Sequence, residues 1–132
     1  MNSRLIAVLG MVVGLTFLPP ALAQPANPTQ REIDFLLQYI EVSGCEFFRN
    51  GTWHDSVTAR AHLSTKYDYL VARNSIKTAK DFIDKAATKS SLSGRAYEVR
   101  CGVCTTVTTS EWLKGVLDRY RVMAARGENE SS

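Results

Sequence analysis

The chain has 132 residues, a formal net charge of +3 and 45% hydrophobic residues, with 16 Lys and Arg set against 13 Asp and Glu. The charges are interleaved and no block of one sign stands out. A basic stripe for nucleic acid is therefore not supported.

The N-terminus carries one positive charge at Arg4, then the uncharged apolar run "LIAVLGMVVGLTFL", a Pro-Pro pair, and "ALA" ending at Ala23. That is the layout of a secretory signal peptide, with cleavage expected between Ala23 and Gln24. The apolar run is shorter than the roughly 20 residues a spanning helix needs, and no Cys follows the cut to carry a lipid. The expected organisation is a signal peptide at 1–23 and a single domain at 24–132, with no membrane span after cleavage. Such a domain of 109 residues holds a real but thin core, which a disulfide would help.

After the lead-in "QPANPTQ", Thr29 and Glu32 form a capping-box pattern, and Ile33, Leu36, Leu37 and Ile40 recur at helical spacing. A helix is predicted over 29–43, with Gly44 where a left-handed C-cap belongs. "CEFF" followed by "RNG" reads as a short strand entering a turn, since Asn-Gly accepts positive φ cheaply. Asp55 or Ser56 caps a second helix running to about Arg73, with Ala59, Leu63, Tyr67, Leu70 and Val71 as its stripe. Thr78 and Asp81 start a third, which buries Phe82, Ile83, Ala86 and Ala87. "AYEVRC" alternates Tyr97, Val99 and Cys101 on one face and reads as a strand. A last helix is predicted over about 110–125, on Trp112, Leu113, Val116, Leu117 and Tyr120, with "RGENESS" as a frayed tail. The fold class is mainly α (α+β): about four helices with a short two-stranded β element packed on them, because two strands alone are marginal in water.

Cys45, Cys101 and Cys104 are an odd set for an exported chain. A structural disulfide from Cys45 to Cys101 or Cys104 is the first reading. If "CEFF" pairs with "YEVRC", Cys45 and Cys101 come close. Thiol redox chemistry at "CGVC" is the second, weakened because β-branched "TTVTTS" rather than a helix follows it. Zinc held by the three cysteines and a His is the third, and an oxidising compartment disfavours it.

His54 and His62 are eight apart, without the i, i+4 spacing of a helical metal pair. The plain reading of His62 is a packed residue bonded to backbone through one ring nitrogen, its pKa lowered by Lys66 one turn on. His54 reads as a polar loop residue beside Trp53. Arg49 and Asn50 either bind an anion or tie down the turn, and "SSLSG" around Ser91 either presents hydroxyls to a ligand or turns the chain. No GxSxG elbow, SxxK motif, phosphate loop or carboxylate pair is present.

The segments "RNG..H", "A..HL", "RN.I.TA..FI" and "FIDKAATKSSLSGRAY" resemble the YfeK-like family of small bacterial periplasmic proteins, a domain of unknown function. The matching positions are Arg49, Asn50, Gly51, His54, His62, Phe82, Ile83, Ser91, Gly94 and Tyr97. The resemblance implies a periplasmic location and favours Cys45 pairing with Cys101. Cys104 departs from the pattern, where a Gly/Pro-rich stretch is commoner. The expectation is an exported, non-enzymatic binding or accessory module of the cell envelope, with no catalytic residue, cofactor or metal. Arg49, Asn50, His54, His62 and Ser91 are its candidate ligand-binding set, and its partner is an envelope protein or a small ligand. The alternative is a small His-dependent enzyme or metal-binding protein.

Overall fold

The computed structural model describes residues 27–130. The expected signal peptide at 1–23 lies outside the described residues. Among the described residues the chain forms four helices and one four-stranded antiparallel sheet, and no helix is long and apolar enough to cross a membrane.

Helix α1 (Pro28–Val42) buries Ile33, Leu36, Leu37 and Ile40. Its cap is Asn27 rather than Thr29: the Asn27 side-chain oxygen accepts from the Gln30 N–H at 2.8 Å. Pro28 explains the shift, because its ring presets helical φ and it has no N–H to satisfy at the first helical position. Gly44, at φ +65°, turns the chain out of the helix.

Strand β1 (Glu46–Arg49) and strand β2 (Thr52–His54) are joined by Asn50 and Gly51, both at positive φ (49° and 86°). This is the two-residue turn whose twist matches a hairpin. Helix α2 (Ser56–Ala72) follows directly, capped by the Asp55 carboxylate on the Thr58 N–H at 2.7 Å. Ala59 and Leu63 are buried and Tyr67 and Leu70 partly so, whereas Val71 is exposed. Helix α3 (Ala79–Ala86) has the full capping box of Thr78 and Asp81 and buries Phe82, Ile83 and Ala86.

Strand β3 (Glu98–Arg100), strand β4 (Val107–Thr108) and helix α4 (Thr109–Glu130) complete the fold. The sheet therefore has four strands, not two, in the order β2-β1-β3-β4. Strands of three and two residues are too short to show alternation in sequence; backbone pairing with a neighbour is what defines them. Helix α4 also continues to Glu130, past the expected frayed tail at 126.

β1 pairs with β3 in the register Glu46↔Arg100, Phe47↔Val99, Phe48↔Glu98. One step beyond that ladder, Cys45 and Cys101 are disulfide-bonded, with Cα atoms 4.4 Å apart. That is the close approach of a non-hydrogen-bonded antiparallel pair. The bond uses two of the three thiolates a Cys₃His zinc site needs and one thiol of the "CGVC" pair. Cys104 is exposed with a free thiol. One sheet face, with Phe47 and Val99, packs toward the helices, and Phe47 meets Trp112 of α4 edge-on at 5.6 Å.

The disulfide closes a separation of 56 residues, so the chain-entropy picture gives it about 4 kcal/mol. The Cys45→Ala/Cys101→Ala protein is expected to lose about that much in urea unfolding. Cys104→Ala is expected to lose less than about 0.5 kcal/mol, as a surface substitution.

Candidate functional site

Alternation along β1 puts Arg49 on the same face as Phe47, toward α2. Continuing the β1–β3 register by one residue sets Arg49 opposite Tyr97. From α2, His62 reaches between them: Arg49 Nη1 lies 2.8 Å from His62 Nδ1, and His62 Nε2 lies 3.1 Å from the Tyr97 hydroxyl. A guanidinium only donates, so Nδ1 accepts; neutral His62 then carries its proton on Nε2 and donates it to Tyr97. The Tyr97 proton is left to point elsewhere.

This Arg49–His62–Tyr97 chain stands between two spaces that it helps to line. On one side is an open groove of about 380 Å³, walled by Asn50, Lys66, Tyr69 and Ser91. On the other is a narrow slot with about 20 Å³ of room for water centres, lined by Phe47, Phe48, His54, Ala59, Leu63 and Thr109 among others. The far wall of the groove is held in shape by its own backbone. Ser90 N–H donates to Arg95 O at 2.9 Å and Tyr97 N–H to Thr88 O at 3.0 Å. The buried Ser90 hydroxyl accepts from the N–H groups of Leu92 and Ser93 at 3.2 and 3.3 Å. The Ser93 hydroxyl donates to Asn50 Oδ1 at 2.7 Å, tying this loop to the β1–β2 turn.

The electrostatics of the site are one-sided. Burial pushes the His62 imidazole below its ordinary value, and Arg49, Lys66 and His54 add to the effect in that order. Burial likewise lowers the Lys66 ammonium, with Lys89 as the second cause. Burial raises the Tyr97 phenol, against the pull of Arg49. No carboxylate contributes to any of these shifts, and among the described residues neither Arg49 nor Lys66 forms an ion pair. Lys66 instead donates to Lys89 O at 2.7 Å and lies 5.2 Å from the Tyr97 ring centroid.

Of the five residues singled out in sequence, Arg49, Asn50, His62 and Ser91 line the groove, and His54 lines the slot with Arg49 and His62. His62 bonds to two side chains rather than to backbone. Lys66 and Tyr97 complete the groove. Lys66 was legible only as the residue one turn after His62; Tyr97 was read as a strand residue on the face of Val99 and as a position matching the YfeK-like pattern. Thr109 gave no signal at all. Both His62 nitrogens are engaged, and among the described residues no group of three or more His, Cys, Asp or Glu is placed to hold a metal.

Residues 27–121 match the family of unknown function DUF5329. The chain belongs to this family. The DUF5329 match takes in every residue of the groove and the slot named above. The chain is also similar to the uncharacterized protein YfeK of Salmonella typhimurium, at 36% identity over 87 residues, which is 65% of this chain and 71% of that protein. No solved structure matches.

Two outcomes follow from this geometry. A folded-state His62 value below the unfolded 6.5 means the unfolded chain takes up a proton first as pH falls. Stability from this group is therefore present above pH 6.5 and lost as pH drops through the folded value. The pH dependence of the urea midpoint below 6.5 is expected to be shallower in His62→Gln. Separately, the Thr109 hydroxyl is buried without a partner, so Thr109→Val is expected to stabilise the protein by about 1 kcal/mol. A loss in thermal unfolding would mean that the hydroxyl is bonded in solution.

Proposed function

We propose that this DUF5329 protein is exported to the periplasm as a non-enzymatic binding module of the cell envelope, and that its groove holds a small anion. The observation that carries this reading is the pair Arg49 and Lys66. Both cations line one groove with no carboxylate to neutralise them. Partly desolvated positive charge of this kind favours an anionic occupant, since a half-buried cation without a counter-charge is costly. The Tyr97 and Ser91 hydroxyls and the Asn50 amide supply further polar groups around the same space. The signal-like N-terminus and the Cys45–Cys101 bond both support an oxidising destination.

Phosphate, sulfate and acetate, titrated calorimetrically at low ionic strength, test this directly. At least one is expected to bind, with affinity falling as salt is added. Arg49→Ala and Lys66→Ala are each expected to weaken binding by about tenfold. Arg60→Ala removes a cation of the same helix that already pairs with Glu41, and is expected to leave binding unchanged. Silence from all three anions, or equal weakening by Arg60→Ala, ends the reading.

A further inference from the structure

The walls of the groove offer carbon as well as charge. Along α2, His62, Lys66 and Tyr69 stand at i, i+4 and i+7, so they share one helix face. That face is turned to Tyr97: His62 bonds to its hydroxyl, and the Lys66 ammonium lies 5.2 Å from its ring centroid. Tyr69 continues the same wall outward and is 55% exposed. At 1.5 Å per residue, the wall from His62 to Tyr69 is about 10 Å long. On the other side lies the 90–94 turn, closed by the Gly94 N–H donating to Ser90 O at 3.0 Å. Leu92, at the middle of that turn, lines the groove and is 93% exposed. An exposed leucine alone is ordinary. This one is the single large apolar side chain of "SSLSG", and its loop is fixed. The Leu92 N–H donates to the buried Ser90 hydroxyl, and Ser93 is bonded to Asn50 of the hairpin turn.

The groove therefore has half-buried cations within, at Arg49 and Lys66, and exposed apolar side chains at its rim, at Tyr69 and Leu92. A small anion takes the room of two or three waters, roughly 90 Å³. It would leave most of the 380 Å³ unfilled and both rim side chains uncovered. We propose that the groove takes an organic anion with one aliphatic tail. Its carboxylate or phosphate head lies on Arg49 and Lys66, and its tail of about six to eight carbons runs between Tyr69 and Leu92. An extended chain advances about 3.5 Å per three bonds, so a tail of that length matches the wall of α2. This assignment rests on the anion-binding reading of the groove and goes beyond it by naming the ligand class.

Acetate, hexanoate and octanoate, with phosphate and hexyl phosphate as a second series, are titrated into the protein and followed by NMR. A methylene half-covered in an open groove is worth about twofold. Octanoate is therefore expected to bind roughly sixtyfold more tightly than acetate, and hexyl phosphate more tightly than phosphate. Leu92→Ser and Tyr69→Ser, both at exposed positions, are each expected to cut the octanoate-to-acetate ratio by about fivefold. Val103→Ser, at an exposed site outside the groove, is expected to leave that ratio unchanged. Arg49→Ala is expected to weaken octanoate by about tenfold, and 1-octanol, which has no anionic head, is expected not to bind. Anion binding that gains nothing from the tail overturns this assignment and leaves the anion reading standing. A gain that survives both Leu92→Ser and Tyr69→Ser overturns it too, as does 1-octanol binding as tightly as octanoate. Sedimentation with phosphatidylglycerol vesicles alongside a flat octanoate series would assign Leu92 to a bilayer surface, and overturns it as well. If every anion fails to bind, bare or tailed, both readings fall together.

Discussion

Cys45 and Cys101 face each other at one end of the β1–β3 ladder, and four residues further along β1 and back along β3 the register brings Arg49 opposite Tyr97. Side chains alternate across a strand, so a slip of one residue would turn Arg49 to solvent and Phe48 to the core. The covalent bond forbids that slip, because it holds two inward-facing positions in one pairing. Helix α2 then needs only to lie across the hairpin for His62 to fall between Arg49 and Tyr97. Asp55, capping α2 immediately after β2, sets where that helix begins. The site is thus positioned by strand register on one side and a helix cap on the other.

Six other cations among the described residues pair with carboxylates. Arg121 makes a two-point contact with Glu32, Arg100 meets Glu46, and Arg60 meets Glu41. Exposed pairs of this kind contribute little to stability. Arg49 and Lys66 are half-buried and share one groove that no carboxylate lines. Neutral His62 relieves part of the crowding by accepting a hydrogen bond from Arg49 rather than adding a third charge.

Much of the fold was legible in the sequence because the deciding interactions are local. The stripe of Ile33, Leu36, Leu37 and Ile40, the Thr78–Asp81 box, and the Asn50–Gly51 turn each act within a few residues, and each holds in the structure. The misreadings fall where backbone pairing, packing or a competing cap decides. β2 and β4 exist by pairing with neighbours, and Val71 faces solvent because nothing packs over that side of α2. The site divides the same way. Arg49, Asn50 and Ser91 stood out as polar residues beside turns and His62 as a polar residue within a helix, but their convergence needed α2 to pack on β1 and β3 to pair with it. Lys66 and Thr109 look like ordinary helix residues in sequence; the first owes its role to the 88–95 loop closing over it, and the second to having no partner.

The order of the strands also bears on how quickly the chain folds. The helices and the β1–β2 hairpin draw on sequence neighbours, and such elements form within microseconds. β3 must find β1 across more than fifty residues, a loop closure whose entropic cost falls on the folding rate. The groove takes walls from β1, α2 and the loop leading into β3, so it is complete only once that long closure has been made. A nascent chain completes this groove in the same step that brings its two bridging thiols within reach of each other.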